Sequence, residues 1–211
     1  MLKTETPNVK DFLKSTFSKQ NINSERKNLL KKIASKIAVE ISLNGYVNVV
    51  FICTHNSRRS QIAQTWGFYF AHLLNLPIHS YSGGTEVTAF HRNSVKTLKD
   101  AGFDFNVIEF SHQNPVYEIF EEGIYKKFSA FSKTYDNPVN QNAFIAITTC
   151  NDADENCPFI PEATQRFHLP YKDPKYSDNS PQQSEVYLKT NKEIANEINY
   201  MFLEVKKQLN R

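Results

Sequence analysis

A thiol, a guanidinium and a hydroxyl lie close together in the run "VFICTHNSRRSQIAQ": Cys53, Arg59 and Ser60, with Thr54, His55, Asn56, Ser57 and Arg58 between the first two. Residues of these types at this spacing can do chemistry on an oxyanion. The thiolate is the nucleophilic form of cysteine. An arginine can fork two N–H donors onto oxyanion oxygens in one plane, which a lysine cannot. A loop of this length can curl so that its successive backbone N–H groups point inward as an anion nest. A helix opening at its end adds the positive pole of its dipole. Loop, dipole and guanidinium all favour the thiolate, and the Ser60 hydroxyl can donate to the sulfur. The bland alternative is a buried structural thiol beside a surface arginine. Against it, Thr54 to Ser60 is too polar for a core, and ligands of open α/β sheets bind at strand-to-helix turns.

That argument requires a strand before the loop and a helix after it. "YVNVVFICT" is a Val- and Ile-rich buried-strand run, and "SQIAQTWGFYFAHLL" has helical spacing at Ile62, Trp66, Tyr69 or Phe70, and Leu73. "IHSYSGG" reads as a second strand and "HRNSVKTLKDAGF" as a second helix that Gly102 stops. Strand, helix, strand, helix implies parallel pairing. "AFIAITT" is a further buried strand running into Cys150. The long C-terminal helix is expected to open at Ser180, Pro181 and Gln183, with apolar positions at Val186, Ile194, Ile198, Phe202, Val205 and Leu209. Residues 8 to 43 read as polar helices broken at "NINSERKN", where Asn23 or Ser24 offers an N-cap. Residues 113 to 142 hold two β-rich runs around "EEG", read as a hairpin laid on the sheet edge.

The expected architecture is an α/β fold: a four-stranded parallel sheet with helices on both faces, its fourth strand the strand-like segment just before "LPYKDPKYSD". Residues 1–45 form an N-terminal helical extension, 46–211 the α/β domain, and 113–142 a hairpin-like insertion within it. A chain of 211 residues can bury the core this needs. Its net charge of +3 is too small and dispersed to point to nucleic acid. No apolar run reaches membrane-spanning length, and the first residues have no signal-peptide pattern, so a cytoplasmic protein is expected.

Three cysteines are too few for a disulfide framework. Cys150 and Cys157 lie in "TTCNDADENCPFIP", a polar stretch read as a loop, without the further close ligands a zinc site needs. They are either incidental loop thiols or partners in redox chemistry. A leaving oxygen also needs a proton donor. "LPYKDPKYSD" offers Asp173 before Pro174, which is equally a common turn sequence. Asp178 is the poorer match by position. Tyr171 and Tyr176 flank the acid and can wall a pocket or simply pack.

The loop "VFICTHNSRRSQIAQ" resembles the phosphate-binding loop of low-molecular-weight protein tyrosine phosphatases and of the thioredoxin-coupled arsenate reductases that share their fold. Those families usually read Cys-x-Gly-Asn-x-Cys-Arg-Ser. Asn56, Arg59 and Ser60 match, whereas His55 replaces a glycine and Arg58 a second cysteine. "TTCNDADENCPFIP" resembles the Cys-x-Asp-Ala-Asp-x-x-Cys-Pro segment that the reductases have and the phosphatases lack. This resemblance implies that Cys53 attacks arsenate, that Cys150 resolves the adduct, and that Cys157 forms a Cys150–Cys157 disulfide for thioredoxin to reduce. It further implies Asp173 as general acid, Asn56 as a brace of the loop, "SGGT" at 82–85 as its buttress, and Thr54 to Ser60 as the oxyanion-binding residues. Some of these reductases hold potassium near the asparagine with a glutamate. Gln64 takes the glutamate's place here, so no metal and no bound cofactor are expected. Two alternatives share the loop. One is a phosphatase acting on phosphate monoesters through a phosphocysteine, which needs only Cys53, Arg59 and Asp173. The other is a non-catalytic phosphate-binding or redox-sensing module.

Overall fold

The computed structural model of the chain describes residues 8–18, 21–141, 143–156 and 159–210. In chain order the elements are helices α1 (Val9–Phe17) and α2 (Ser24–Asn44), strand β1 (Val47–Cys53), helix α3 (Arg59–Leu73), strand β2 (Ile78–Gly84) and helix α4 (Arg92–Asp100). Strands β3 (Asp104–Glu109), β4 (Val116–Glu121), β5 (Ile124–Ala130) and β6 (Phe144–Thr148) follow. Helix α5 (Asn151–Asn156), strand β7 (Ala163–His168), a 3₁₀ turn (Pro174–Ser177) and helix α6 (Gln183–Leu209) complete the chain.

Strand β1 is buried along its whole length because it is central in a four-stranded sheet of order β2-β1-β6-β7, parallel at every pairing. Its side chains alternate between two cores, as a pleated strand requires. Val49 and Phe51, with Ile145 and Ile147 of β6, join the large cluster beneath α2, α3 and α6. Val50 and Ile52, with Ala146, face the opposite side and pack with Cys53, Cys150, Ala153 and Ile160. That second face is covered by the short α5 and its flanks, so both thiols sit in one small core at the C-terminal end of the sheet.

The N-terminal helices are part of the large core. Val9, Leu13, Leu30, Ile33 and Ile37 are buried with Trp66, Phe70, Ile198 and Phe202, and Phe12 stacks on Trp66 with ring centres 5.5 Å apart. Asn23 caps α2, its Oδ1 accepting the Arg26 N–H at 2.8 Å. Gly102 ends α4 in the left-handed region at φ +104, and a Cβ there would meet the Val9 nitrogen at 2.5 Å. A single glycine thus makes both the turn and the close approach of α1.

Three expectations need correction. Among the described residues, the 113–142 segment pairs with the edge of the parallel sheet only through a single bridge between Thr134 and Gly84 of β2. Its hairpin, β4 and β5, pairs antiparallel with β3 to make a separate three-stranded sheet. The residues after Cys150 are helical: Asn151–Asn156 form α5, whose first turn carries Asp152 and Asp154 at the positive end of the helix. Helix α6 begins at Gln183, with Gln182 at the cap position and no side-chain cap bond, while the Ser180 hydroxyl donates to the Ser177 carbonyl at 2.7 Å.

Lys133, beyond β5, is 2% exposed, and its ammonium has no hydrogen-bond partner among the described residues, lying 4.9 Å from the Phe131 ring centre. Desolvation pushes its pKa down to about 8. The folded state therefore binds this proton less tightly than the unfolded chain. The resulting penalty is complete below the folded value, fades as pH rises toward the unfolded lysine value, and is gone above it. Lys133→Met is expected to raise stability by about 2–3 kcal/mol near pH 7 and by nothing near pH 11, as read by urea unfolding at both pH values.

Candidate active site

The loop between β1 and α3 is held almost entirely by hydrogen bonds to polar side chains, which explains how so polar a stretch is buried. Asn56 is fully buried and left-handed at φ 44. Its Oδ1 accepts the Lys133 backbone N–H at 3.0 Å and Gln61 Nε2 at 3.1 Å, which fixes the amide's orientation. Its Nδ2 then donates to Ser60 Oγ at 2.9 Å. Ser60 Oγ lies 3.0 Å from Cys53 Sγ. Because Ser60 accepts from an amide that can only donate, its own proton is free to point at the sulfur. An O–H donor so placed stabilises a thiolate. Asn56 braces the loop, and where backbone bonds were expected of it, its side chain does much of the bracing, to Ser60, Gln61 and the Lys133 N–H.

The next residues are tied from two other directions. Thr54 carbonyl accepts from the Glu86 N–H at 2.8 Å and from Thr85 Oγ1 at 3.1 Å, so the 82–85 segment does support the loop. A Cβ at Gly84 would lie 2.7 Å from Asn56 N and Thr54 O, and only glycine permits this approach. His55 carbonyl accepts from Ser132 Oγ at 2.9 Å and Thr88 Oγ1 at 3.2 Å, while the His55 ring reaches out to Glu86 at 3.2 Å. Ser57 Oγ donates to Ala89 carbonyl at 2.6 Å.

The insertion supplies residues that sequence reasoning missed. Ser132 is itself locked by Asn114, which accepts its N–H at 3.0 Å and donates to its carbonyl at 2.8 Å. Gly84 and Tyr135 then extend the contact through Gly84 N to Lys133 O at 2.9 Å and Tyr135 N to Gly84 O at 3.0 Å. Segment 131–135 therefore acts as a second brace for the loop. Nothing local in its sequence announces this, since every partner it has in the loop lies about 70 residues or more away.

Arg59 and Arg58 have different surroundings. Arg59 is buried; Nη1 donates to the Tyr171 carbonyl at 3.0 Å and Nη2 to Asp173 Oδ2 at 2.5 Å. Asp173 also accepts from the Lys175 N–H at 2.9 Å, which starts the 3₁₀ turn. The cavity bounded by Cys53, Thr54, His55, Ser57, Arg58, Arg59 and Asp173 is only about 10 Å³. An oxyanion entering there meets an Arg59 whose Nη2 is already engaged by Asp173. The Arg58 guanidinium turns away from the loop, its Nε donating to Tyr187 Oη and its Nη2 to Asp178 Oδ2, each at 2.7 Å. Its contribution to an oxyanion site is thus confined to the backbone.

Asp178, the poorer candidate for the acid, is the centre of this outer network. It accepts from Arg58, from Tyr187 at 2.8 Å and from Asn93 at 3.0 Å. Partial burial raises its pKa, but the hydrogen bonds from Tyr187 and Arg58 outweigh that and hold it below the usual carboxylate value. Desolvation pushes the Tyr187 phenol up to about 12. A depressed carboxylate stabilises the fold above its unfolded pKa, and that contribution disappears as pH falls through the folded value. Asp178→Asn is therefore expected to cost about 1–3 kcal/mol near pH 7. The difference from the native chain should vanish once both proteins are acidified below the Asp178 titration, as followed by circular dichroism.

Cys150 is 1% exposed and lies at the N-terminal end of α5, its sulfur accepting from the Ala153 N–H at 3.4 Å. On the other side the sulfur is 3.5 Å from Thr54 Oγ1, the residue following Cys53. The structure thus brings Cys53, Arg59, Ser60, Asp173 and Cys150 to one end of the sheet. Cys157 lies outside the described residues. Tyr171 is buried and packs, while Tyr176 is exposed beneath Lys172. Among the described residues no group of three or more His, Cys, Asp or Glu could hold a metal, and no helix is long and apolar enough to cross a membrane. Gln64 Oε1 accepts a hydrogen bond from Ser82 Oγ at 2.5 Å.

No protein-family profile matches the chain. Arsenate reductase 2 of Staphylococcus epidermidis is 29% identical over 126 residues, covering 60% of this chain and 77% of that protein. Arsenate reductase of Staphylococcus aureus strain Newman shows the same identity and coverage. Among solved structures, the low-molecular-weight protein tyrosine phosphatase of T. tengcongensis superposes with a TM-score of 0.52 at 19% identity, covering 74% of this chain and 98% of that one. By sequence the chain is similar to arsenate reductases over 126 residues, and its fold is that of the low-molecular-weight protein tyrosine phosphatases.

Proposed function

We propose that this protein reduces arsenate by a three-cysteine relay coupled to thioredoxin. The observation that carries the reading is the placement of Cys150, whose sulfur is buried against Thr54 in the same small core as Cys53. A phosphatase has no use for a second thiol there. Arsenate docks on the loop's backbone N–H groups and on Arg59, displacing Asp173 from that guanidinium. Cys53 thiolate attacks arsenic, and Asp173 protonates the departing oxygen so that it leaves as water. Cys150 thiolate next attacks Cys53 Sγ. The S–S bond forms as the S–As bond breaks, and the electron pair of that bond leaves on arsenic, giving arsenite. Cys157 then attacks Cys150 Sγ and frees Cys53 as thiolate. A thioredoxin dithiol reduces the Cys150–Cys157 disulfide, so the electrons pass through thiols with no bound cofactor. The reaction suits a reducing cytoplasm.

Passing the disulfide on from Cys53 requires Cys150 to move, since its sulfur is buried at the start of α5. Six residues with three acidic side chains make a helix that opens readily.

A second reading, hydrolysis of phosphate monoesters, is supported by the Cys53–Ser60 and Arg59–Asp173 geometry, which is sufficient for a phosphocysteine mechanism. The two readings part at a single turnover. Reduced protein mixed with excess arsenate and no reductant should lose two thiols, and peptide mass spectrometry should find Cys150 joined to Cys157. Three free thiols after that incubation would remove the relay and leave the phosphatase.

A further inference from the structure

Arg59 and Asp173 are held on one side by the loop, and the segment that carries Asp173 is held on the other by the N-terminal helix α2. Arg26, in the first turn of α2, donates from Nε and Nη2 to the two oxygens of Glu197 on α6, both at 2.8 Å. The same Nη2 donates to the carbonyl of Pro170 at 3.0 Å. Its guanidinium also lies 5.0 Å from the centre of the Tyr171 ring. One residue further on, the Tyr171 carbonyl accepts from Arg59, and two residues beyond that Asp173 pairs with the same guanidinium. On the remaining side, Leu169 N and Tyr171 N donate to the carbonyls of Thr148 and Thr149, at 2.8 and 3.1 Å. The segment 169–173 thus crosses between two arginines, with the backbone leading to Cys150 as its third support.

We propose that Arg26 is a positioning residue for catalysis: by fixing Pro170 and Tyr171 it sets where the Tyr171 carbonyl and Asp173 meet Arg59. The bidentate pair with Glu197 orients the guanidinium plane, and this fork is what lets one nitrogen reach Pro170 while two oxygens are served. Glu197 is buried, so the pair is well shielded and its geometry rigid. The helix α2 thereby gains a role at the site. The inference rests on the proposed use of Arg59 and Asp173, but it holds for arsenate reduction and phosphate ester hydrolysis alike, since both need the same acid and guanidinium.

The test compares native protein with Arg26→Lys and Arg26→Met, well below the melting temperature of each. Lysine keeps the charge opposite Glu197 but cannot also reach Pro170. Three readouts are taken: kcat and KM for para-nitrophenyl phosphate, the pH profile of kcat, and the rate at which iodoacetamide alkylates Cys53 with and without arsenate. Arg26→Lys is expected to lose about 10- to 100-fold in kcat, the scale of a small misplacement of catalytic groups. Its alkaline limb should also shift, because the acid no longer meets its partner as in the native protein. Alkylation of Cys53 should stay near the native rate, since the loop's own braces are untouched. A merely structural Arg26 would lower the melting temperature of both variants and leave kcat and its pH profile as in the native protein, and that result overturns the proposal. If Arg26→Met does not fold, Arg26→Lys alone decides. Arsenate protection of Cys53 in the native protein reports on the site itself. Its absence would count against the proposed function, whereas an unchanged kcat in Arg26→Lys counts against the positioning role only.

Discussion

Replacing Cys53 by serine is expected to abolish both arsenate turnover and para-nitrophenyl phosphate hydrolysis, with a loss of about 10⁴-fold or more, the scale seen when a nucleophile is deleted. The reason lies in what surrounds the sulfur. Ser60 Oγ lies 3.0 Å from it, and Arg59 and Asp173 line the same small cavity. Neither Ser60 nor Arg59 is a base able to take the proton from a serine hydroxyl, and Asp173 is paired with Arg59. The variant should still fold, because Cys53 contributes little volume to its core and serine is nearly isosteric. Oxyanion affinity should change little, as the loop, the dipole and Arg59 all remain. Measured turnover within a hundredfold of native would show that another residue is the nucleophile.

The second large effect is expected at Arg59→Lys, a loss of about 10²–10³-fold in kcat/KM, comparable to removing a preorganised oxyanion donor. Arg59 reaches the Tyr171 carbonyl at 3.0 Å and Asp173 at 2.5 Å with two nitrogens of one plane. A lysine brings one charge and no fork, so it can serve the carbonyl or the oxyanion but not both. In the proposed reaction the guanidinium meets the substrate oxygens before and during the chemistry, so KM should rise as well as kcat fall. The check is steady-state kinetics on both substrates. A loss below tenfold would mean that the backbone nest does the binding and that Arg59 serves mainly to hold Asp173.

Contiguity decided which parts of the site were legible in the sequence. Cys53, Asn56, Arg59 and Ser60 lie in one turn between a Val- and Ile-rich strand and an apolar-spaced helix, so their meeting follows from local geometry. Strands β1, β2 and β6 of the parallel sheet followed for the same reason, from apolar runs alternating with helices, whereas β7 has no buried residue to mark it. What stayed hidden was long-range. Asn114, Ser132 and Lys133 support the loop from an insertion whose partners could not be read from composition. Arg58 departs from the usual loop residue, and its partners Asp178 and Tyr187 are more than a hundred residues away. Strand β3 was missed because "DFNVIE" alternates over only four residues before Ile108 breaks the pattern, and nearly all of it is exposed. Helix α5 was missed because "NDADEN" lacks apolar residues apart from Ala153, and its fold depends on the Cys150 cap and on Asp154. That carboxylate accepts from Thr148 Oγ1 at 2.7 Å and from Arg166 at 2.5 Å.

The central claim is that Cys150 makes this site a reductase. The direct measurement is NADPH oxidation in a mixture of arsenate, thioredoxin and thioredoxin reductase, comparing the native protein with Cys150→Ser. The account predicts arsenate-dependent oxidation by the native protein and none above background by the variant, while the variant keeps its para-nitrophenyl phosphate hydrolysis. No arsenate-dependent signal from the native protein, beside equal phosphate ester hydrolysis by both, would contradict it.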